Sequence, residues 1–200
     1  MKKILTLTAL LFAIGSFAQV KVTEKNVSIE GGKNGFYIEL PYGDQKSIEK
    51  ELKSEMKSWK GKFSEKKGIF FVDDGKSKDM GDNTFDAYGR VEENPDGGAF
   101  VSVAIDLGGA YLNSGEHSGQ FKVMENVLQK WGVKAAKNFV DGEIKTEEKL
   151  LKEKEKELDD QVKEQEKLEK EIEDYKQKIA DNEKSIEESK KNQEDKKIEI

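Results

Sequence analysis

The sequence has no cysteine, only two prolines and a single histidine. Without cysteine there is no disulfide, no thiolate metal ligand and no cleavage-site cysteine to carry a lipid, so the stability of an exported form must come from packing. His117 has too few partners for a zinc site or a nucleophilic triad. Arginine is equally scarce: Arg90 stands alone in a chain of net charge −6. Phosphate-backbone affinity comes from many cationic contacts, so nucleic acid is disfavoured as a partner, and so is a strongly anionic membrane surface. Gly108-Gly109 lacks the spacing and the following Lys-Ser/Thr of a phosphate loop. Residues 143–200 contain neither glycine nor proline.

What is present begins with a short apolar run at the N-terminus. Lys2 and Lys3 precede Ile4 to Phe17, and Ser16-Phe17-Ala18 places small residues where a signal peptidase reads. The run is too short to span a bilayer with its flanks, so residues 1–18 are expected to be a signal peptide cleaved after Ala18. The mature chain then starts at Gln19, has no transmembrane segment, and is exported to the periplasm or secreted.

Residues 19–142 form a head of ordinary single-domain size. Val20–Ile29 and Phe36–Leu40 read as strands around the Gly31-Gly32-Lys33-Asn34-Gly35 turn, the second ended by Pro41. Asp44 or Ser47 caps a helix whose stripe is Ile48, Leu52, Met56 and Trp59, with Gly61 as its stop. Ile69–Val72, Thr84–Glu92 and Ala99–Ile105 follow as strands, and Gly108–Leu112 as a short last strand or a loop. A second helix opens near Ser118 or Gln120 and keeps Phe121, Met124, Leu128, Trp131, Ala135 and Phe139 on one face. Strands in a run joined by short turns imply an α+β fold: an antiparallel sheet with two helices on one face, followed by a long C-terminal helix or coiled coil. In topology this order resembles TATA-binding-protein-like and helix-grip folds, a resemblance that implies no function.

Asp141-Gly142 interrupts the pattern, and Gly142 is the expected hinge. Beyond it, residues 143–200 carry 21 acidic against 15 basic residues. Ile144, Leu151, Leu158, Gln165, Ile172, Ile179, Ile186, Gln193 and Ile200 recur every seven positions. The column three residues further on is apolar only at Leu168 and Tyr175. Three readings stand: a self-associating coiled coil, a lone charged helix held by pairs such as Lys149–Glu153, Glu166–Lys170, Lys170–Asp174 and Asp174–Lys178, or a disordered polar tail. The first is preferred, with Leu151, Leu158, Val162, Leu168, Ile172, Tyr175, Ile179 and Ile186 as the association residues. A fully helical tail extends on the order of 85 Å at 1.5 Å per residue.

Few constellations carry chemistry. Asp73, Asp74, Asp79, Asp82 and Asp86 crowd one stretch without calcium-loop spacing, so a solvated turn is the reading there. No catalytic residue, metal ligand or cofactor is assigned, and His117 is read as an exposed loop residue. The best ligand surface is the sheet face opposite the helices, where Tyr88, Arg90, Phe100 and Ser102 fall together, set against the simpler reading of a wet or chain-packed face.

Two stretches carry a family resemblance. The Ser16-Phe17-Ala18-Gln19 junction looks like that of exported Bacteroidota proteins. Ile105-Asp106-Leu107-Gly108-Gly109-Ala110-Tyr111-Leu112, leading into an amphipathic helix and a Lys/Glu tail, is similar to proteins of that group with a small α+β head and a C-terminal coiled coil. The resemblance implies no activity. The expectation is a non-enzymatic structural or interaction protein, whose partner is itself through the tail or another envelope protein. The alternative is an extracellular or periplasmic ligand-binding module that uses the exposed sheet face.

Overall fold

Strand alternation decides which side of the sheet meets the helices. Phe85, Ala87 and Val91 in one strand and Val101, Val103 and Ile105 in the next are all buried, with side chains on one face. A computed structural model describes residues 20–29 and 31–198. The leader expected over 1–18 and its cleavage junction lie outside the described residues. The chain divides into two compact units, Met1–Ile144 and Lys145–Ile200.

The first unit holds β1 (Lys21–Val27), β2 (Lys33–Leu40), α1 (Gln45–Ser58), β3 (Lys62–Lys66), β4 (Ile69–Gly75), β5 (Phe85–Glu93) and β6 (Ala99–Asp106). α2 then runs over Ser118–Ile198. The six strands form one sheet in the order β1-β2-β6-β5-β4-β3, and every neighbouring pair is antiparallel. The expected α+β architecture is therefore present. β6 is central as its apolar run requires, because both of its faces are covered.

One strand departs from the sequence reading. β3 has Phe63 as its only apolar residue, so its pattern does not rise above that of a charged connection. It is an edge strand, and an edge strand needs one inward anchor rather than a continuous apolar face. Its turn was the available signal: Lys67 and Gly68 both take left-handed φ, 52° and 74°, as a two-residue hairpin loop demands. The Gly108–Leu112 segment is a loop that folds back, touching β6 through a single Asp106–Tyr111 bridge.

α1 is capped by Asp44, whose Oδ1 accepts the Ser47 N–H at 2.9 Å. Gly61 is not its stop. Lys60 takes the left-handed turn instead, at φ 61°, while a Cβ on Gly61 would lie 2.4 Å from the Asp73 carbonyl oxygen. Hydrogen bonding from Ser47 lowers the Asp44 pKa. A depressed folded-state value gives stability that is present above the ordinary Asp range and lost as pH falls through the folded value. Asp44→Ala is expected to cost about 1 kcal/mol near neutrality, and less in acid, as read by chemical denaturation across pH.

Both helices cover the same sheet face. Ile48, Leu52 and Met56 of α1 join Phe121, Met124, Leu128, Trp131 and Ala135 of α2 in one core with the inward strand residues. Phe36 of β2 stacks on Phe121 with ring centroids 4.5 Å apart. Gly89 leaves room for α1, since a Cβ there would lie 2.7 Å from the Met56 sulfur. α1 and α2 are tied by the Trp131 indole N–H, which donates to the Glu51 carbonyl at 3.3 Å.

The helix break expected at Asp141-Gly142 is absent: α2 continues through both residues. One glycine in a helix costs about 1 kcal/mol, which a long helical segment absorbs.

Candidate functional site

The second unit is helical to Ile198, and its large apolar residues are open to solvent, with only Lys178 reaching over one of them, the Tyr175 ring at 5.3 Å. Leu151, Leu158, Val162, Leu168, Ile172, Tyr175, Ile179 and Ile186 are all exposed, Leu158 and Tyr175 to 61%. All but Val162 fall on two columns that repeat every seven positions and lie three apart, and Val162 flanks them, so they share one stripe. Around the stripe the charges pair along the helix, Lys149 with Glu153 at 4.0 Å, Lys154 with Glu157 at 2.7 Å and Lys176 with Glu173 at 3.3 Å. Exposed pairs of this kind each contribute only about 0.2–0.5 kcal/mol.

In the first unit, the sheet register brings the four outer-face residues together. Arg90 lies directly opposite Ser102, Tyr88 opposite Ala104, and Phe100 opposite Glu92. They are also engaged within the molecule. Phe100 stacks on Tyr37 at 5.3 Å and Tyr88 on Phe71 at 4.8 Å. The Arg90 guanidinium holds Glu92 at 3.1 Å and donates to the Ser28 carbonyl at 3.4 Å. Ser102 is buried.

This face is not simply wet. Val27, Ile29 and Ala104 make a second small core there, flanked by Tyr37, Ile69, Tyr88 and Tyr111. Lys25 sits 3.0 Å over the Tyr37 ring. Burial, and then the Glu39 and Glu92 carboxylates, raise the Tyr37 pKa, so its hydroxyl stays protonated. Toward the β3–β4 hairpin the same face opens into a cavity of ≈ 420 Å³. Ile69, Phe71 and Tyr88 line it with Ser64, Lys66 and Lys67. Sequence reasoning missed the lysine side because it depends on β3.

A second cavity, of ≈ 460 Å³, lies on the helical side, among Glu55 of α1 and Val123, Val127, Trp131 and Lys134 of α2. Burial raises the Glu55 pKa, against a hydrogen bond from Trp59 and the charge of Lys134. Glu55 adjoins Met56 in sequence, at the margin of the α1 stripe, a position that reads as solvent-facing until the second helix is placed.

The remaining polar features are local structure. Asp86 accepts the Asp74 N–H at 3.0 Å beside the irregularity in the β4–β5 register. Asp106 accepts the N–H groups of Gly108 and Gly109 at 2.9 and 3.0 Å. His117 is half-buried rather than exposed. Its ring nitrogen lies 3.4 Å from Asn113 Nδ2, and its carbonyl accepts the Phe121 N–H in the first turn of α2. Among the described residues no group of three or more His, Asp or Glu side chains is arranged to hold a metal ion. No helix among them is long and apolar enough to cross a membrane. No protein-family model matches the chain, and neither does any curated protein or solved structure.

Proposed function

We propose that this is an exported, non-enzymatic interaction protein that associates with copies of itself through the helix of its second unit. The observation that carries the reading is the exposed stripe from Leu151 to Ile186 on a helix otherwise covered in charge. Covering a half-exposed aliphatic side chain contributes on the order of 1 kcal/mol, and the stripe supplies enough of them, doubled in a dimer, to hold two chains together. Export rests on the leader pattern of residues 1–18. Sedimentation of the chain beginning at Gln19 is expected to show concentration-dependent association that disappears when 145–200 are removed. A monomer at the highest attainable concentration overturns the reading.

A second reading is favoured by the cavity beside β3. Its apolar floor of Ile69, Phe71 and Tyr88, with Lys66 and Lys67 at its edge, suits a small anionic ligand with a flat or apolar body. Lys66→Glu with Lys67→Glu is then expected to abolish ligand-induced rises in melting temperature across a panel of aromatic and aliphatic carboxylates. Arg90→Ala is expected to weaken them, while costing the free protein under about 1 kcal/mol, since its ion pair is exposed. A panel that shifts nothing removes this reading.

A further inference from the structure

The stripe also contains information about direction. Resting on the self-association reading, we propose that the second-unit helix pairs with a second copy of itself in antiparallel orientation, with the two-fold axis crossing between Glu173 and Asp174.

In a two-stranded coiled coil, the two apolar columns meet across the seam and the charged positions beside them set partner orientation. If two copies run parallel and in register, each seam residue meets its own counterpart. Lys154 then meets Lys154 and Lys196 meets Lys196 inside the seam, while on the flank Glu164 faces Glu169. Like charges in a desolvated seam are strongly unfavourable. The polar side chains are thus badly placed for parallel pairing, although Glu171–Lys176 and Lys178–Glu183 are complementary in it.

Antiparallel pairing about the Glu173–Asp174 axis removes each conflict. Ile172 meets Tyr175 of the second copy, and Ile179 meets Leu168, so the two apolar residues of the weak column fall opposite two isoleucines of the strong one. Gln165 meets Asn182, which puts two amides together where each can satisfy the other. Lys154 meets Gln193, and Lys196 meets Leu151, where a long aliphatic stem can lie along the seam with its ammonium in water. On the flanks Glu155 faces Lys190, Glu169 faces Lys176 and Glu171 faces Lys178, each contact occurring twice by symmetry. Glu157 faces Asn192 and Glu164 faces Ser185, so no like-charge pair arises over these positions. Less favourable are Val162 beside Glu183 on the flank and, in the seam, Leu158 opposite Ser189 and Ile186 opposite Gln161.

The distribution behind this is simple. The flanking column Glu155, Val162, Glu169, Lys176, Glu183, Lys190 is acidic or neutral before the axis and, Glu183 apart, basic after it. Reversing one strand is the operation that matches such a column to itself. The intrahelical contacts are no obstacle: Lys176 rests on Glu173 in an exposed pair that a facing Glu169 can replace at little cost.

The absence of native cysteine makes the test clean. Full-length chains carrying Ile179→Cys or Leu168→Cys are oxidised separately and as a mixture, with association followed in parallel by sedimentation. The expected result is a disulfide-linked dimer from the mixture and little from either chain alone, because the two copies of position 179 lie roughly 16 Å apart along the antiparallel axis at 1.5 Å per residue. A disulfide from Ile179→Cys alone, or none from the mixture while sedimentation still shows association, overturns the antiparallel register and leaves self-association standing. Monomers throughout overturn both. Charge exchange gives a second readout. Glu169→Lys is expected to weaken association by roughly tenfold, from two attractive contacts turned repulsive, and adding Lys176→Glu to restore it. A parallel pair predicts the opposite sign for Glu169→Lys, since it would relieve the clash with Glu164.

Discussion

Phe36→Ala is expected to remove about 3–5 kcal/mol of stability from the first unit, the range for truncating a fully buried aromatic ring. Phe36 has no exposed surface, sits in the second strand of the sheet opposite Val103, and stacks on Phe121. Its removal empties the contact through which the start of α2 meets the sheet. Relaxation is restricted on one side by the backbone pairing of β2 with both β1 and β6. For a domain whose whole stability lies near 5–15 kcal/mol, this change alone brings a large part of the population to the edge of unfolding. Urea denaturation followed by tryptophan fluorescence measures it, because Trp59 and Trp131 are both buried in the same core. A loss under about 1 kcal/mol would mean that the Phe36–Phe121 stack is not the join between sheet and helix.

The second large effect belongs to the stripe. Ile172→Glu together with Ile179→Glu is expected to raise the dissociation constant for self-association by roughly a thousandfold or more. Two substitutions per chain put four carboxylates where aliphatic surface was to be covered, and a loss of about 1 kcal/mol at each accounts for that figure. Both residues are more than half exposed, so the folded first unit is expected to keep its melting temperature. Sedimentation equilibrium of parent and variant gives the ratio directly. Lys170→Glu, which makes the chain more negative by the same two charges but lies off the stripe, controls for net charge. If the isoleucine variant associates as well as the parent, the seam lies elsewhere or does not exist.

Much of the fold was legible because most of its elements obey a single period. β5 alternates cleanly, β6 stands out as an apolar run between turns, and the stripes of α1 and α2 recur at helical spacing, so the order of these elements follows from the residues alone. Legibility failed where one residue does the work of a pattern. β3 hangs on Phe63, and its hairpin turn is marked by Lys67-Gly68 rather than by a stronger turn pair. It failed again at Gly142, where a local breaker was outweighed by helix formers on both sides. The outer face was half legible. Register put Tyr88, Arg90, Phe100 and Ser102 side by side, but the small core under Ile29 depends on the loop between β1 and β2 folding back, which no periodicity encodes. The cavity beside β3 could not be found before β3 itself. In the second unit the seven-residue column was plain from the start, since an exposed helix has no tertiary context to override its pattern.

The two open rims of the sheet have a consequence of their own. β1 presents Lys21 and Lys25, and β3 presents Lys62 and Lys66, all exposed. An unpaired strand invites a second one to dock along it, and ammonium groups there make that approach unfavourable. Growth of the sheet from molecule to molecule is thereby discouraged at either end. Under the proposed self-association the safeguard gains weight, because an unguarded rim would turn a reversible assembly into an irreversible deposit.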